Sequence, residues 1–128
     1  MAIRVLIADD HGSFRRALRT ALEHGDYEIC GEAKDGIEAV RLATQYKPDV
    51  VITDLLMPGL SGFHAAKQIN DALPETPIVL MTLYDNRQVQ MEAARYGIAA
   101  VVSKTQPGKL ISILDEALQR VVQPESSN

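Results

Sequence analysis

Five short apolar runs, Ile3–Ala8, Glu28–Ala33, Val50–Thr53, Ile78–Thr82 and Ile98–Val102, recur along the chain with segments of helical length between them. Each run is too short for an ordinary helix and has the composition of a buried strand. The intervening segments place apolar residues three and four apart, as in Phe14, Leu18, Ala21 and Leu22, or Leu110, Leu114, Ala117, Leu118 and Val121, which predicts amphipathic helices. Turn chemistry divides the two kinds of segment at Gly25-Asp26, Asp35-Gly36, Pro48-Asp49, Pro58-Gly59, Gly97 and Pro107-Gly108. Strand and helix therefore alternate five times. Parallel strands joined by helices cross over right-handedly and are covered on both faces, so the strands are expected to be apolar throughout. The expected fold is α/β: a flavodoxin-like, doubly wound sheet of five parallel strands flanked by five helices, in the common order 2-1-3-4-5.

A chain of 128 residues, 46% hydrophobic, is enough for one domain that buries about two thirds of its unfolded surface. That domain is expected over residues 1–122, with Gln123–Asn128 as a frayed tail or the start of a linker. A formal net charge of -4 and no run of Lys or Arg argue against direct nucleic-acid binding. Cys30 is the single cysteine and suits a small buried residue in a reducing compartment. The N-terminal segment carries Arg4 and runs into Asp9 and Asp10, unlike a signal peptide, and no stretch is long enough to span a membrane. A cytoplasmic location and no membrane partner are expected.

In an open α/β sheet the ligand sits at the carboxyl ends of the strands, so the residues that close each apolar run are the candidates for chemistry. They are Asp9 and Asp10, Asp54, Thr82, and Ser103 with Lys104; strand two offers only Glu32 and Lys34, off to one side. Three carboxylates at one edge repel each other, with only Lys104 expected to offset them. A hard divalent cation resolves the conflict, and Mg2+ is the expected one, because it takes oxygen ligands, keeps several waters and is commonly held by one or two carboxylates. Zn2+ is the weaker expectation, since no His or Cys accompanies the carboxylates. Beside such an ion Asp54 can act as nucleophile toward a phosphorylated donor, while Lys104 and the Thr82 hydroxyl engage phosphoryl oxygens. Each residue has an ordinary alternative. Asp9 to Ser13 could be a strand end and helix N-cap, Thr82 a β-branched strand residue, and Lys104 a solvated charge. Their convergence carries the inference.

These residues in this order resemble the receiver domains of two-component response regulators over residues 2–122. The specific parts are Ile7-Ala8-Asp9-Asp10-His11, then Asp54 followed by Met57-Pro58-Gly59-Leu60-Ser61-Gly62, then Thr82 and Lys104. The Asp-Asp-His start and the Lys104-Thr105-Gln106-Pro107 end are similar to receivers that carry a LuxR-type helix-turn-helix output domain. The resemblance implies that Asp54 accepts a phosphoryl group from a sensor histidine kinase and that Asp9, Asp10 and Asp54 hold Mg2+ with the backbone carbonyl of Leu56. It also implies that Thr82 and Lys104 sense the phosphate. An output domain or effector protein would receive the signal, and the exposed side of the fifth helix makes a phosphorylation-dependent homodimer a further expectation. The chain would catalyse its own phosphorylation and turn over no metabolite.

Two positions depart from the family pattern. The switching aromatic corresponds to Val101, and the residue after Thr82 is Leu83 rather than a small one. The response is therefore expected to run through loop and helix-four shifts or dimerisation. Leu56 and Tyr84, at positions that often orient hydrolytic water, offer no carboxamide or carboxylate, which predicts slow loss of phosphate. Three other readings remain open. A phosphate-independent pseudo-receiver would fit Val101 and Leu83. A magnesium-dependent aspartyl phosphatase would need a second acid where Leu56 stands, and a flavin carrier would need a hydroxyl-rich loop where Asp9 and Asp10 stand.

Overall fold

The computed structural model describes residues 2–122, so the tail expected over Gln123–Asn128 lies outside the described residues. β1 (Ile3–Ala8), β2 (Tyr27–Ala33), β3 (Val50–Thr53), β4 (Ile78–Thr82) and β5 (Ala100–Ser103) form one parallel sheet. Their order is β2-β1-β3-β4-β5, the common order expected for five such strands. Between and after them run α1 (Gly12–Glu23), α2 (Gly36–Tyr46), α3 (Gly62–Ala72), α4 (Arg87–Arg95) and α5 (Leu110–Val122), the last entered through a 3-10 turn at Pro107–Lys109.

Strand periodicity sorts the side chains into two layers. Val5, Ile7, Val50, Ile52, Val79 and Met81 pack against Leu18, Leu22, Leu110 and Leu114 of α1 and α5. Leu6, Ala8, Val51, Ile78 and Leu80 face the other way, onto Ala39, Ala43, Ala66, Ile69 and Ala93 of α2, α3 and α4. Each fully buried Leu or Ile contributes about 2 kcal/mol. The small residues on the second face let the helices approach the sheet closely.

The sequence reading needs three corrections here. The expectation of strands apolar throughout holds for the inner strands but fails at the edges, where Glu28 of β2 is exposed and most of β5 is only half-buried, because an edge strand has one open side. β5 begins at Ala100 rather than Ile98. Gly97 adopts φ 80°, and the Ile98 N–H closes α4 by donating to the Ala93 carbonyl at 3.0 Å, so this residue belongs to a Schellman-type helix end. Ala21, placed on the apolar stripe of α1, is exposed; Leu18 and Leu22 carry that contact.

Two glycines seat helices against the loop after β3. A Cβ on Gly62 would lie 2.1 Å from the Asp54 carbonyl oxygen, and one on Gly36 would lie 2.0 Å from that of Leu60. The next residue, Phe63, stacks in parallel on Tyr96 at the end of α4, with ring centroids 5.1 Å apart.

Candidate metal centre

The carboxyl edge of the sheet gathers the residues that the strand ends pick out. Asp9 and Asp54, at the ends of β1 and β3, are 2% and 7% exposed, and Thr82 at the end of β4 is 1% exposed. The strands align because the Asp54 N–H donates to the Ala8 carbonyl at 2.8 Å, and the Lys104 N–H to the Thr82 carbonyl at 2.9 Å. Lys104 reaches back from beyond β5 so that its Nζ lies 2.7 Å from Asp9 Oδ2 and 3.2 Å from Asp54 Oδ2. Its stem passes over Phe14, with Nζ 4.4 Å from the ring centroid, a cation–π contact in a nearly dry setting. The ammonium thus stands between two carboxylates that would otherwise repel.

The expectation that only Lys104 offsets the acidic charge, and that no His accompanies the carboxylates, is overturned. His11 Nδ1 lies 3.1 Å from Asp9 Oδ1 and 3.2 Å from Asp10 Oδ1. One ligand atom from each of Asp9, Asp10, His11 and Asp54 falls within 4.8 Å of the others. Arg15 is the second positive group beside Lys104, donating from Nη1 to the Asp9 carbonyl at 2.6 Å. The sequence shows His11 beside the acids but not which way it turns. Arg15 and Phe14 are legible only as the first turn of α1.

The ordinary reading of Asp9 to Ser13 as a side-chain cap does not hold. His11 occupies the N-cap of α1 without a capping side-chain bond, and the Asp9 Oδ1 accepts the His11 N–H at 2.8 Å instead. Strand two's Glu32 is taken up by Arg15 and Arg19, which hold its carboxyl below the usual carboxylate range, so it stays out of the cluster.

Asp54 is electrostatically uncomfortable. Burial, and after it the charge of Asp9, pushes its carboxyl above the usual range, while Lys104 and the Leu55 N–H pull the other way without prevailing. For an acid, a raised native pKa means that ionisation costs folded-state stability. That cost is absent below the unfolded-chain value, about 3.9, and fully present above the native value. In EDTA at about pH 7, Asp54→Asn is therefore expected to melt above wild type, with the gap closing as pH falls toward about 4. Thermal melts across pH check this; a variant less stable than wild type at neutral pH would show the ionised form to be net favourable.

His11, Asp54, Leu56, Leu83, Tyr84 and Lys104 line a cavity of about 120 Å³ above the cluster. At roughly 30 Å³ per water, that is room for a few waters or a phosphoryl group. The Thr82 Oγ1 accepts the Tyr84 N–H at 3.0 Å, leaving its own O–H free to donate.

The response regulator receiver domain family matches residues 5–115, and the chain belongs to that family: it is a receiver domain of the two-component response regulators. It is 40% identical over 117 residues, 90% of this chain and 54% of the other, to the uncharacterized transcriptional regulatory protein YxjL of Bacillus subtilis (strain 168). A two-component response regulator of the LuxR family from Aurantimonas sp. SI85-9A1 superposes with a TM-score of 0.88 at 28% identity, over 93% of this chain and 86% of that one. The response regulator domain of Thermotoga maritima CheB gives 0.87 at 30% identity, over 93% and 98%. The kinship with LuxR-type receivers agrees with the Asp-Asp-His start. The chain spans about half the length of the curated relatives it matches.

Proposed function

We propose that this receiver is a phosphorylation switch in a two-component phosphorelay, with Asp54 taking a phosphoryl group from the phosphohistidine of a sensor histidine kinase. The observation that carries the reading is a half-neutralised acidic cluster at the sheet edge, with Lys104 between Asp9 and Asp54 and the buried Thr82 hydroxyl at the neighbouring strand end. An Asp54 carboxylate oxygen attacks phosphorus, the P–N bond to the kinase imidazole breaks as the acyl phosphate forms, and the departing nitrogen takes up a proton. Asp9, Asp10 and Asp54, with the Leu56 backbone carbonyl, would hold Mg2+, which supplies charge neutralisation for the phosphoryl oxygens; the oxygen-rich donor set suits that ion. Lys104 becomes the counter-ion of one phosphoryl oxygen and Thr82 donates to another.

The product is a changed protein surface rather than a released metabolite. The reading therefore makes this a signalling module acting on an output domain, an effector protein or a second copy, with DNA contact left to other parts of a regulator. Among the described residues no helix is long and apolar enough to cross a membrane. The reading implies a cytoplasmic domain, on the side where a sensor kinase presents its phosphohistidine. Val101 is partly buried against the cluster beneath α4 and has no polar tip, so the response passes through the β4–α4 loop and α4. Mass spectrometry of the protein with Mg2+ and acetyl phosphate tests the reading. One phosphoryl addition that needs Mg2+ and vanishes in Asp54→Ala is expected; no addition to folded protein would favour a phosphate-independent partner-binding module.

The same rim sets the lifetime of the phosphoryl group. Leu56, Leu83 and Tyr84 are 56%, 66% and 52% exposed around the cavity, and none offers an amide or carboxylate to hold an attacking water. One oriented hydrogen bond is worth about 1 kcal/mol, so Leu56→Asn is expected to speed phosphate loss roughly fivefold to tenfold. Decay of the labelled protein measures it, and an unchanged half-life would remove the rim from the account.

A further inference from the structure

A groove lies at the amino edge of the sheet, the end away from Asp54. Pro74, Glu75 and Pro77 from the segment before β4, Ala99 just before β5, and Ala117 and Arg120 of α5 border a space of about 340 Å³. Pro77 and Ala117 are buried, while Pro74, Glu75 and Arg120 are exposed, so the deep part of the lining is apolar and the charges stand at its margin. At roughly 30 Å³ per water, the space holds about ten waters, which suits two or three residues of extended chain rather than a helix.

The polypeptide supplies such a segment at this place. Ala117 and Arg120 stand three apart on one ridge of α5, and the helix runs to Val122. Pro124 has no N–H and disfavours helical backbone at Gln123, so the sequence directs the chain off the helix axis one turn beyond Arg120. Six residues, Gln123–Asn128, span up to about 20 Å, more than enough to turn back across the groove. The charges also match. Glu125 is the one charged side chain of that segment, and Arg120 the one cation of the lining. Among the described residues the ion-pair partner of Arg120 is Glu116 at 4.0 Å, both about two-thirds exposed, a separation that holds the guanidinium weakly. Glu75, on the segment before β4, disfavours an acid elsewhere along the lining.

We propose that residues 123–128 dock in this groove, with Pro124 against the apolar floor and the Glu125 carboxylate accepting from the Arg120 guanidinium. The segment that follows α5 would then leave the domain along a set path, tied to the loop between α3 and β4. The inference concerns an interaction surface and does not depend on phosphorylation of Asp54.

NMR relaxation and nuclear Overhauser spectra of the 128-residue protein test this, on the wild type, on Glu125→Lys, and on Arg120→Glu combined with Glu125→Lys. Arg120 is exposed, so the variants are expected to fold, and the amide spectrum of the sheet checks that they do. The wild type is expected to show backbone order parameters near about 0.8 at Glu125, against below about 0.6 for a loose tail, and contacts from the Pro124 ring to the Ala99 or Ala117 methyl. Glu125→Lys should lower the order below about 0.6, and the paired reversal should restore it. Low order or missing Pro124 contacts in the wild type overturn the proposal, as does a Glu125→Lys variant that keeps its order or a paired reversal that does not regain it. Ala99 and Ala117 signals that shift with protein concentration while residues 123–128 stay loose would give the groove to a second copy, and overturn it too.

Discussion

Gly62→Ala is expected to lower the melting temperature by roughly 10 °C or more and to abolish phosphoryl acceptance, although residue 62 carries no functional group. The added Cβ would fall 2.1 Å from the Asp54 carbonyl oxygen and 2.9 Å from the Leu55 Cα, and both are backbone atoms that no rotamer can move. The Gly62 N–H also donates to the Leu55 carbonyl at 2.7 Å, so helix and loop cannot part without breaking a short bond. Relief requires shifting the segment that holds Asp54, at about 3 kcal/mol or more, and any shift displaces its carboxylate from Asp9 and Lys104. Gly108→Ala is the control, since nothing lies within 4 Å of its Cβ position. Melts by circular dichroism with acetyl phosphate labelling check both. A Gly62 variant that melts within a few degrees of wild type would show that the loop yields.

Lys104→Met should give the second large effect, and one that Mg2+ repairs. The Lys104 side chain is 10% exposed, and its partners Asp9 and Asp54 are 2% and 8% exposed. Removing one member of such a buried set typically costs about 3 kcal/mol, because the remaining charges lose both water and partner. Asp54 can limit the loss by taking a proton, since its carboxyl is already pushed upward. In EDTA the variant is expected to melt well below wild type; with Mg2+ the gap should narrow, because a divalent ion restores the missing positive charge. Equal responses of both proteins to Mg2+ would show that Lys104 is not the resident counter-charge.

The layout of strands and helices was legible because buried parallel strands must be short and apolar, and because helices that cover them must carry one apolar stripe. Asp54 was legible for the converse reason: a charge that ends such a run needs a partner. The start of β5 was not legible, because Ile98 is as apolar as a strand residue while its backbone serves α4. Nor was the place of His11. Sequence puts it beside two acids in the chain, but only the turn into α1 swings Nδ1 between them. Pro58 and Gly59 read as turn chemistry and Gly62 only as part of the family motif; the tight approach of Gly62 to Asp54 emerges only when loop and helix pack together. Long-range reach was legible only because strand ends share one edge: Lys104 and Asp9 stand 95 positions apart and meet at hydrogen-bond distance.

The stack of Phe63 on Tyr96 fastens one end of α4 to α3 and leaves the other end to a loop and the Asn86 cap. The helix is in effect a door hung on an aromatic hinge. The loop at its free end, with Leu83 and Tyr84, lines the cavity above Asp54, and Met91 is exposed on the helix itself. The hinge pin begins at Phe63, one residue beyond the glycine that rests on the Asp54 backbone. Under the proposed switch, a change at Asp54 therefore has a path to that hinge through Gly62 and Phe63 that does not run through β5.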